Sequence, residues 1–248
     1  MKNPEYRFPA VPVSLIRAAV VADFHRGDAN AVLRSLEKIS PDLILAPGDI
    51  CEDLTDRVDR QDPGICLLKA MCGIAPVFYS LGNHELARNH RTKSKWSSIP
   101  DTVSDSAKEL IGETGAVFLS DGYTRWCGLV IGGLCSGLCN PDGRPHLGWT
   151  EQYMREDGFR ILLSHHPEYY PLLPEGCADL IVAGHAHGGQ WRIGKAGVFA
   201  PGQGLFSRYT KGVYDGRLVV SAGIGNLTVV PRLFNPPEIP VLVLGKQA

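Results

Sequence analysis

Apolar and polar positions along this chain follow two alternating periods. Ile16-Arg17-Ala18-Ala19-Val20-Val21-Ala22 is a short, almost unbroken apolar run. Asp42-Leu43-Ile44-Leu45-Ala46, Pro76-Val77-Phe78-Tyr79-Ser80-Leu81, Phe159-Arg160-Ile161-Leu162-Leu163 and Asp179-Leu180-Ile181-Val182-Ala183 are others. Runs of this length, rich in branched or aromatic residues and closed by turn formers, have the pattern of buried strands. After the first run the period lengthens: Val32, Leu33, Leu36 and Ile39 share one face of a helix predicted from Ala29 to about Ile39, with Asp28 as N-cap and Pro41 as stop. Further helices are predicted from Gly64 to about Cys72 and from about Val103 to Glu113, and short strands at Ala116–Leu119 and Gly128–Ile131. Residues before Ile16 read as a Pro-rich lead-in. From Gln190 onward, the glycine-punctuated runs Val198-Phe199, Gly212–Tyr214, Leu218–Ser221 and Val241–Leu244 predict antiparallel strands and hairpins. Without an internal repeat or a long linker, this is one domain over residues 1–248 with two packed sheets.

Each long apolar run ends in a turn that carries metal-type ligands. The ends are Asp23-Phe24-His25-Arg26-Gly27, Pro47-Gly48-Asp49, Gly82-Asn83-His84-Glu85, Ser164-His165-His166-Pro167 and Gly184-His185-Ala186-His187-Gly188-Gly189. In open α/β sheets the carboxyl ends of the strands form the crevice where ligands bind. Asp23, His25, Asp49, Asn83, His165, His185 and His187 supply carboxylates, an amide oxygen and imidazoles, a mixed set that suits Mn, Fe or Zn better than Ca or Mg. These ligands are too many for one tetrahedral ion. They suit a pair of ions about 3.5–4 Å apart sharing a bridging carboxylate, a recurring device for phosphoester hydrolysis. The expected nucleophile is a metal-bridging hydroxide, and the signatures of serine hydrolases and phosphate-loop enzymes are absent. His84, beside a ligand, is placed to stabilise or protonate the leaving oxygen.

Composition narrows the partners. A formal charge of −1 and a pI near 6.7 give no global reason to bind nucleic acid or an anionic membrane, so any anion affinity is local. Hydrophobic content of 44% and charged content of 21% are those of a soluble globular protein. The first residues lack the apolar core of a secretory signal, and no apolar run nears the roughly 20 residues of a membrane span; the expected location is cytoplasmic. Seven cysteines without a Cys-x-x-Cys pair argue against a disulfide framework or a zinc ribbon, Cys135 and Cys139 being the closest spacing. Arg26, Arg88 and Arg91 are candidate substrate contacts, the latter two in the basic stretch Arg88–Trp96, which reads first as a solvated loop and second as a recognition cap. His90 and His146 lie outside the motifs, and His166 is expected to point away from its neighbour His165. Arg208 and Lys211 are read as supports of the second sheet.

Asp-x-His, Gly-Asp, Gly-Asn-His-Glu, a later His after a strand, and Gly-His-x-His, in this order, resemble the motifs of the calcineurin-like metallophosphoesterases, over residues from about 16 to 244. The resemblance implies an α/β fold, a four-layer α/β/β/α sandwich of two mixed β-sheets flanked by helices. It also implies two divalent metal ions, Mn first and Fe or Zn as alternatives. Asp23, His25, Asp49 and His187 would hold one ion; Asn83, His165 and His185, with Asp49 bridging, would hold the other; His84 would be the catalytic histidine. The implied reaction is hydrolysis of a phosphomonoester, phosphodiester or pyrophosphate in a small phosphorylated substrate: a nucleotide, sugar nucleotide or lipid phosphate. Gly184–Gln190, Arg208–Tyr214 and Asn235–Ile239 are similar to the YkuE-like bacterial branch, which includes hydrolases of the pyrophosphate in UDP-diacylglucosamine. The alternative is a non-catalytic protein-binding scaffold on the same fold, whose hallmark is a lost ligand or lost catalytic histidine; neither is lost here.

Overall fold

The computed structural model describes residues 1–9, 11–55, 58–86, 103–137, 140, 142–200, 203–226 and 231–246. Its strands form two six-stranded sheets. The first contains, in spatial order, β1 (Glu5–Phe8), β16 (Val241–Leu244), β2 (Ile16–Val20), β3 (Leu43–Pro47), β4 (Val77–Ser80) and β5 (Val117–Leu119). The second contains β14 (Gly212–Tyr214), β15 (Leu218–Val220), β9 (Leu180–Ala183), β8 (Phe159–Ser164), β7 (Leu129–Leu134) and β6 (Gly122–Trp126). Two small hairpins, β10 (Arg192–Ile193) with β11 (Ala196–Gly197) and β12 (Phe199–Ala200) with β13 (Gly204–Leu205), stand apart from both sheets.

The layers follow from the two-residue period of a strand. Ala18, Val20, Leu43, Leu45 and Phe78 face the second sheet, where they meet Ile131, Ile161, Leu163, Val182 and Val219. Their alternates Ala19, Val21, Ile44, Ala46, Val77 and Tyr79 face the helices α1 (Ala29–Ile39), α2 (Pro63–Cys72) and α3 (Asp105–Thr114). The far face of the second sheet buries Leu162, Ile181 and Val220 against Tyr153 of the short helix α4 (Thr150–Met154) and Tyr169 of a 3-10 turn at Pro167–Leu172. These are the four layers, α/β/β/α. Because both faces of each sheet are covered, the central strands read as continuous apolar runs rather than alternating ones.

Local chemistry sets the helix starts. The Asp28 carboxylate accepts from Ala31 N–H at 3.0 Å, Asp62 caps Gly64 N–H at 2.8 Å ahead of Pro63 in the first turn, and Ser104 caps Ala107 N–H at 3.2 Å. Such caps contribute about 1 kcal/mol each.

The structure departs from the sequence expectation at the edges. The lead-in contains a strand: Glu5–Phe8 pairs in parallel with Val241–Leu244, bracketed by Pro4 and Pro9, which the prolines made easy to read as coil. The strands after Gln190 are not all antiparallel. Leu218–Val220 pairs antiparallel with β14 but parallel with β9, and Val241–Leu244 crosses back into the first sheet between β1 and β2. Hydrophobicity specifies a strand's face but not its neighbour. Among the described residues, no helix is long and apolar enough to cross a membrane.

Candidate metal centre

The carboxyl ends of β2, β3 and β4 in one sheet and of β8 and β9 in the other converge, and the chain bends sharply there. Asp23, His25, Asp49, His185 and His187 all have positive φ, between 45° and 64°. Side chains rarely hold this left-handed conformation, and it concentrates where function over-determines the backbone. The turns seat the predicted residues next to one another. Asp49 Oδ2 lies 3.1 Å from His165 Nε2 and 3.5 Å from His25 Nε2, between strand ends of the two sheets. Its other oxygen, Oδ1, accepts the His84 N–H at 2.9 Å. Asp23 Oδ1 accepts the His185 N–H at 2.9 Å and is 3.7 Å from His187 Nε2, which lies 3.2 Å from His25 Nε2. Neither carboxylate would have room were its neighbour larger: a Cβ at Gly82 would collide with Asp49 Oδ1, and one at Gly223 would stand 2.5 Å from Asp23 Oδ2.

The donor atoms fit divalent ions. Asp23 Oδ2, Asn83 Oδ1, His165 Nε2 and His185 Nε2 are buried without a hydrogen-bond partner, an expensive arrangement for polar atoms unless an ion satisfies them. Asp23, His25 and His187 form one group of ligand atoms within 4.8 Å of one another, and Asp49, His165 and His185 form a second. Two rings are also held in the tautomer that ligation needs. His25 Nδ1–H donates to Glu52 Oε1 at 3.0 Å and His165 Nδ1–H to the Pro47 carbonyl at 2.9 Å, so the Nε2 of each ring faces Asp49. Burial opposes a charge on His165, but the Asp49 charge and hydrogen bond raise it to about 10, and a bound ion would take the place of that proton. Burial holds His185 well below the ordinary histidine range and His187 down to about 4, so both are neutral imidazoles at pH 7. Arg232, a donor only, points Nη2 at His187 Nδ1 from 3.1 Å.

Several residues here carried no role in the sequence reading. Glu85 is fully buried and accepts from the backbone N–H groups of Asp49, Ile50, Cys51 and Gly82 at 2.8–3.0 Å, and from Tyr79 Oη–H at 2.8 Å. It ties the β3 turn to the β4 turn. Burial, then the Asp49 charge, push its carboxyl up to about 7 against those donors. Glu85→Ala leaves four backbone N–H groups buried without an acceptor, at about 1–3 kcal/mol each; chemical denaturation of the metal-free protein should show a loss of at least about 4 kcal/mol. Glu52 is the second such residue. Its Oε1 takes His25 and its Oε2 takes His84 Nδ1 at 2.9 Å, so one carboxylate orients both rings. The third is Glu168, whose Oε1 accepts from His166 Nδ1–H at 3.1 Å and lies 3.6 Å from His185 Nε2.

His166 does not turn away as the strand period predicts. Its ring is 4.3 Å from that of His185, and its Nε2 accepts from Ser136 Oγ at 2.8 Å. The chain leaves the pleat after Ser164, so alternation no longer applies. His146 is exposed, 3.9 Å from Asp121, and with Arg144, Leu81, Leu86 and Ser136 lines a cavity of about 680 Å³ beside the site. Arg26 is exposed, 4.0 Å from Asp62, on a shallower cleft of about 390 Å³ that Glu52 also lines. Arg88, Arg91, His90 and the rest of the basic stretch, like Cys139, lie outside the described residues; Cys135 is a partly buried residue whose thiol is pushed up to about 12 by desolvation and Asp121. Lys211 pairs with the buried Glu238, and Arg208 lies exposed over the Tyr209 ring.

A sequence model of the calcineurin-like phosphoesterases matches residues 16–189, the span that contains all these strand ends. The chain belongs to that family. Members of this family are metal-dependent phosphoester hydrolases with a dinuclear site. The chain is 27% identical over 242 residues to phosphodiesterase YaeI of Escherichia coli (strain K12), covering 94% of this chain and 77% of that protein. It is 26% identical over 223 residues to the uncharacterized metallophosphoesterase YkuE of Bacillus subtilis (strain 168), covering 88% and 72%. To UDP-2,3-diacylglucosamine pyrophosphatase LpxG of Chlamydia muridarum it is 21% identical over 287 residues, covering 92% and 83%. It spans 65% and 51% of two longer curated relatives.

Proposed function

We propose that this chain hydrolyses a phosphodiester or pyrophosphate bond of a small phosphorylated molecule. The observation that carries the reading is Asp49 Oδ2, within 3.5 Å of ring nitrogens from both sheets, with the backbone of His84 fixed on its other oxygen. In this reading Asp23, His25, Asp49 and His187 would hold one ion, and Asn83, His165, His185 and the shared Asp49 would hold the other; Mn would suit the mixed oxygen and nitrogen donors, with Fe or Zn as alternatives. When bound, the ions supply positive charge for the phosphoryl oxygens and lower the pKa of a coordinated water.

The chain's own residues do the rest. His84 Nδ1–H donates to Glu52, which leaves Nε2 as the nitrogen that delivers a proton to the leaving oxygen. Burial pulls the His84 pKa down, but the Glu52 hydrogen bond and the Asp49 and Glu52 charges outweigh it and raise the ring above its ordinary value. Burial likewise opposes ionisation of Glu52, yet hydrogen bonds from His25 and His84 hold it down at about 2. A histidine raised in this way stays protonated, and active as an acid, to higher pH. Glu52→Gln removes the anion, so the alkaline limb of the kcat–pH profile should move to lower pH; an unmoved limb would assign the titration elsewhere.

The 680 Å³ cavity lined by Leu81, Leu86 and Ser136 gives a second substituent on phosphorus a place to bind, with Arg144 and His146 on its wall. This, with relatives named as a phosphodiesterase and a pyrophosphatase, favours diesters and pyrophosphates over monoesters. With Mn supplied, bis(p-nitrophenyl) phosphate should turn over faster than p-nitrophenyl phosphate. The reverse order would make the chain a monoesterase, and a metal-loaded protein that hydrolyses neither would favour the scaffold reading.

A further inference from the structure

The most exposed large apolar side chains among the described residues gather at one edge of the site: Phe234 at 90%, Ile193 at 76%, Phe206 at 70% and Leu205 at 69%. They belong to the two small hairpins and the segment beside them. Trp191 pairs with Leu233 through a parallel bridge. Extending the β10–β11 register by one residue sets Trp191 opposite Val198, whose N–H donates to the Trp191 carbonyl at 2.8 Å. Extending the β12–β13 register sets Val198 opposite Phe206, whose N–H donates to the Val198 carbonyl at 2.9 Å. Leu233, Trp191, Val198 and Phe206 therefore form one apolar row across four adjacent backbone segments, and Ile193 lies on the same side of its strand as Trp191.

The sequence that carries most of this row is one-sided in charge. From Leu180 to Tyr214 the chain has no Asp or Glu, while Arg192, Lys195, Arg208 and Lys211 fall within that span, Lys211 being paired with Glu238, in a protein whose net charge is −1. Lys195 and Arg208 are exposed. The row also adjoins the metal centre, since Trp191 follows the His187-Gly188-Gly189-Gln190 turn and Arg232, next to Leu233, contacts His187.

We propose that this hairpin edge docks on an anionic lipid surface, with Trp191, Ile193 and Phe206 entering the headgroup boundary and Lys195 and Arg208 pairing with lipid phosphates. Apolar tips that project from short hairpins, on a sequence stretch that also carries the exposed cations Lys195 and Arg208, match the interfacial mode of membrane binding, in which buried apolar area and attraction to anionic lipids add. Each cation near such a surface contributes roughly a fivefold gain in binding. The proposal does not depend on the reaction above.

The test is flotation of the full chain with vesicles of phosphatidylcholine alone and of phosphatidylcholine mixed with phosphatidylglycerol, at low and high salt. Wild type should float with the mixed vesicles, more weakly at high salt, and remain behind with neutral ones. The double variant Ile193→Asp/Phe206→Asp should lose binding at least about tenfold, and Lys195→Glu/Arg208→Glu by a similar factor. Both should keep wild-type turnover of bis(p-nitrophenyl) phosphate in solution and a wild-type unfolding midpoint. Wild type that floats with neither vesicle, or equally with both, overturns the proposal. So does concentration-dependent self-association in sedimentation velocity that Phe206→Asp abolishes while vesicle binding is absent, which would make the row a contact between copies of the chain.

Discussion

Asp49→Asn is expected to strip the centre of metal and lower kcat/KM for a phosphodiester at least about a thousandfold, as the loss of several kcal/mol of transition-state stabilisation requires. Asp49 is 1% exposed, with Oδ2 3.1 Å from His165 Nε2 and 3.5 Å from His25 Nε2. Asparagine keeps the oxygen that accepts the His84 N–H. It replaces the other oxygen with an NH2 group that donates to the imidazole lone pairs meant for the ions. The change therefore removes the shared ligand and fills its place with hydrogen bonds, while the turn survives. Circular dichroism should be that of wild type, and elemental analysis should show the metal gone.

His84→Ala is the second large effect, with the opposite signature for metal. Loss of a general acid typically costs 10²- to 10⁴-fold, about 3–5 kcal/mol of barrier. The ring of His84 is bound through Nδ1 to Glu52, and it is not among the residues whose unpartnered buried atoms fit an ion. Metal content should accordingly be unchanged. The loss in kcat should be large for alkyl esters, whose leaving oxygen needs a proton, and small for p-nitrophenyl esters, whose leaving group departs as an anion. His25, Asp49 and His84 do lie close enough together to share an ion; a His84→Ala protein that loses metal would move His84 from acid to ligand.

The buried central strands and the helices α1–α3 were legible because their cause is local. Val32, Leu36 and Ile39 repeat at helical spacing, and the capping Asp28 precedes them. The seven proposed ligands were legible because each ends a strand that the two sheets bring to one place. What the sequence hid is what depends on a second element. Glu85 belongs to the same motif as His84, yet its work is to bind amides more than thirty positions upstream, in the turn after β3. Glu52 sits in a segment that reads as polar coil, and only the approach of the His25 and His84 turns gives it a task. His166 was misplaced because the strand rule was carried past the strand's end. The return of Val241–Leu244 into the first sheet was hidden for the same reason as the edge strand beside it: apolar alternation names a face and leaves the partner open.

Electron paramagnetic resonance of the Mn-loaded protein tests the central claim, one Asp49 carboxylate shared by two ions, most directly. A shared carboxylate couples the spins of neighbouring ions, so fully loaded wild type should give the multiline spectrum of an exchange-coupled pair, His84→Ala should keep it, and Asp49→Asn should lose it. A six-line mononuclear spectrum from fully loaded wild type, or a coupled spectrum that survives Asp49→Asn, would contradict the account.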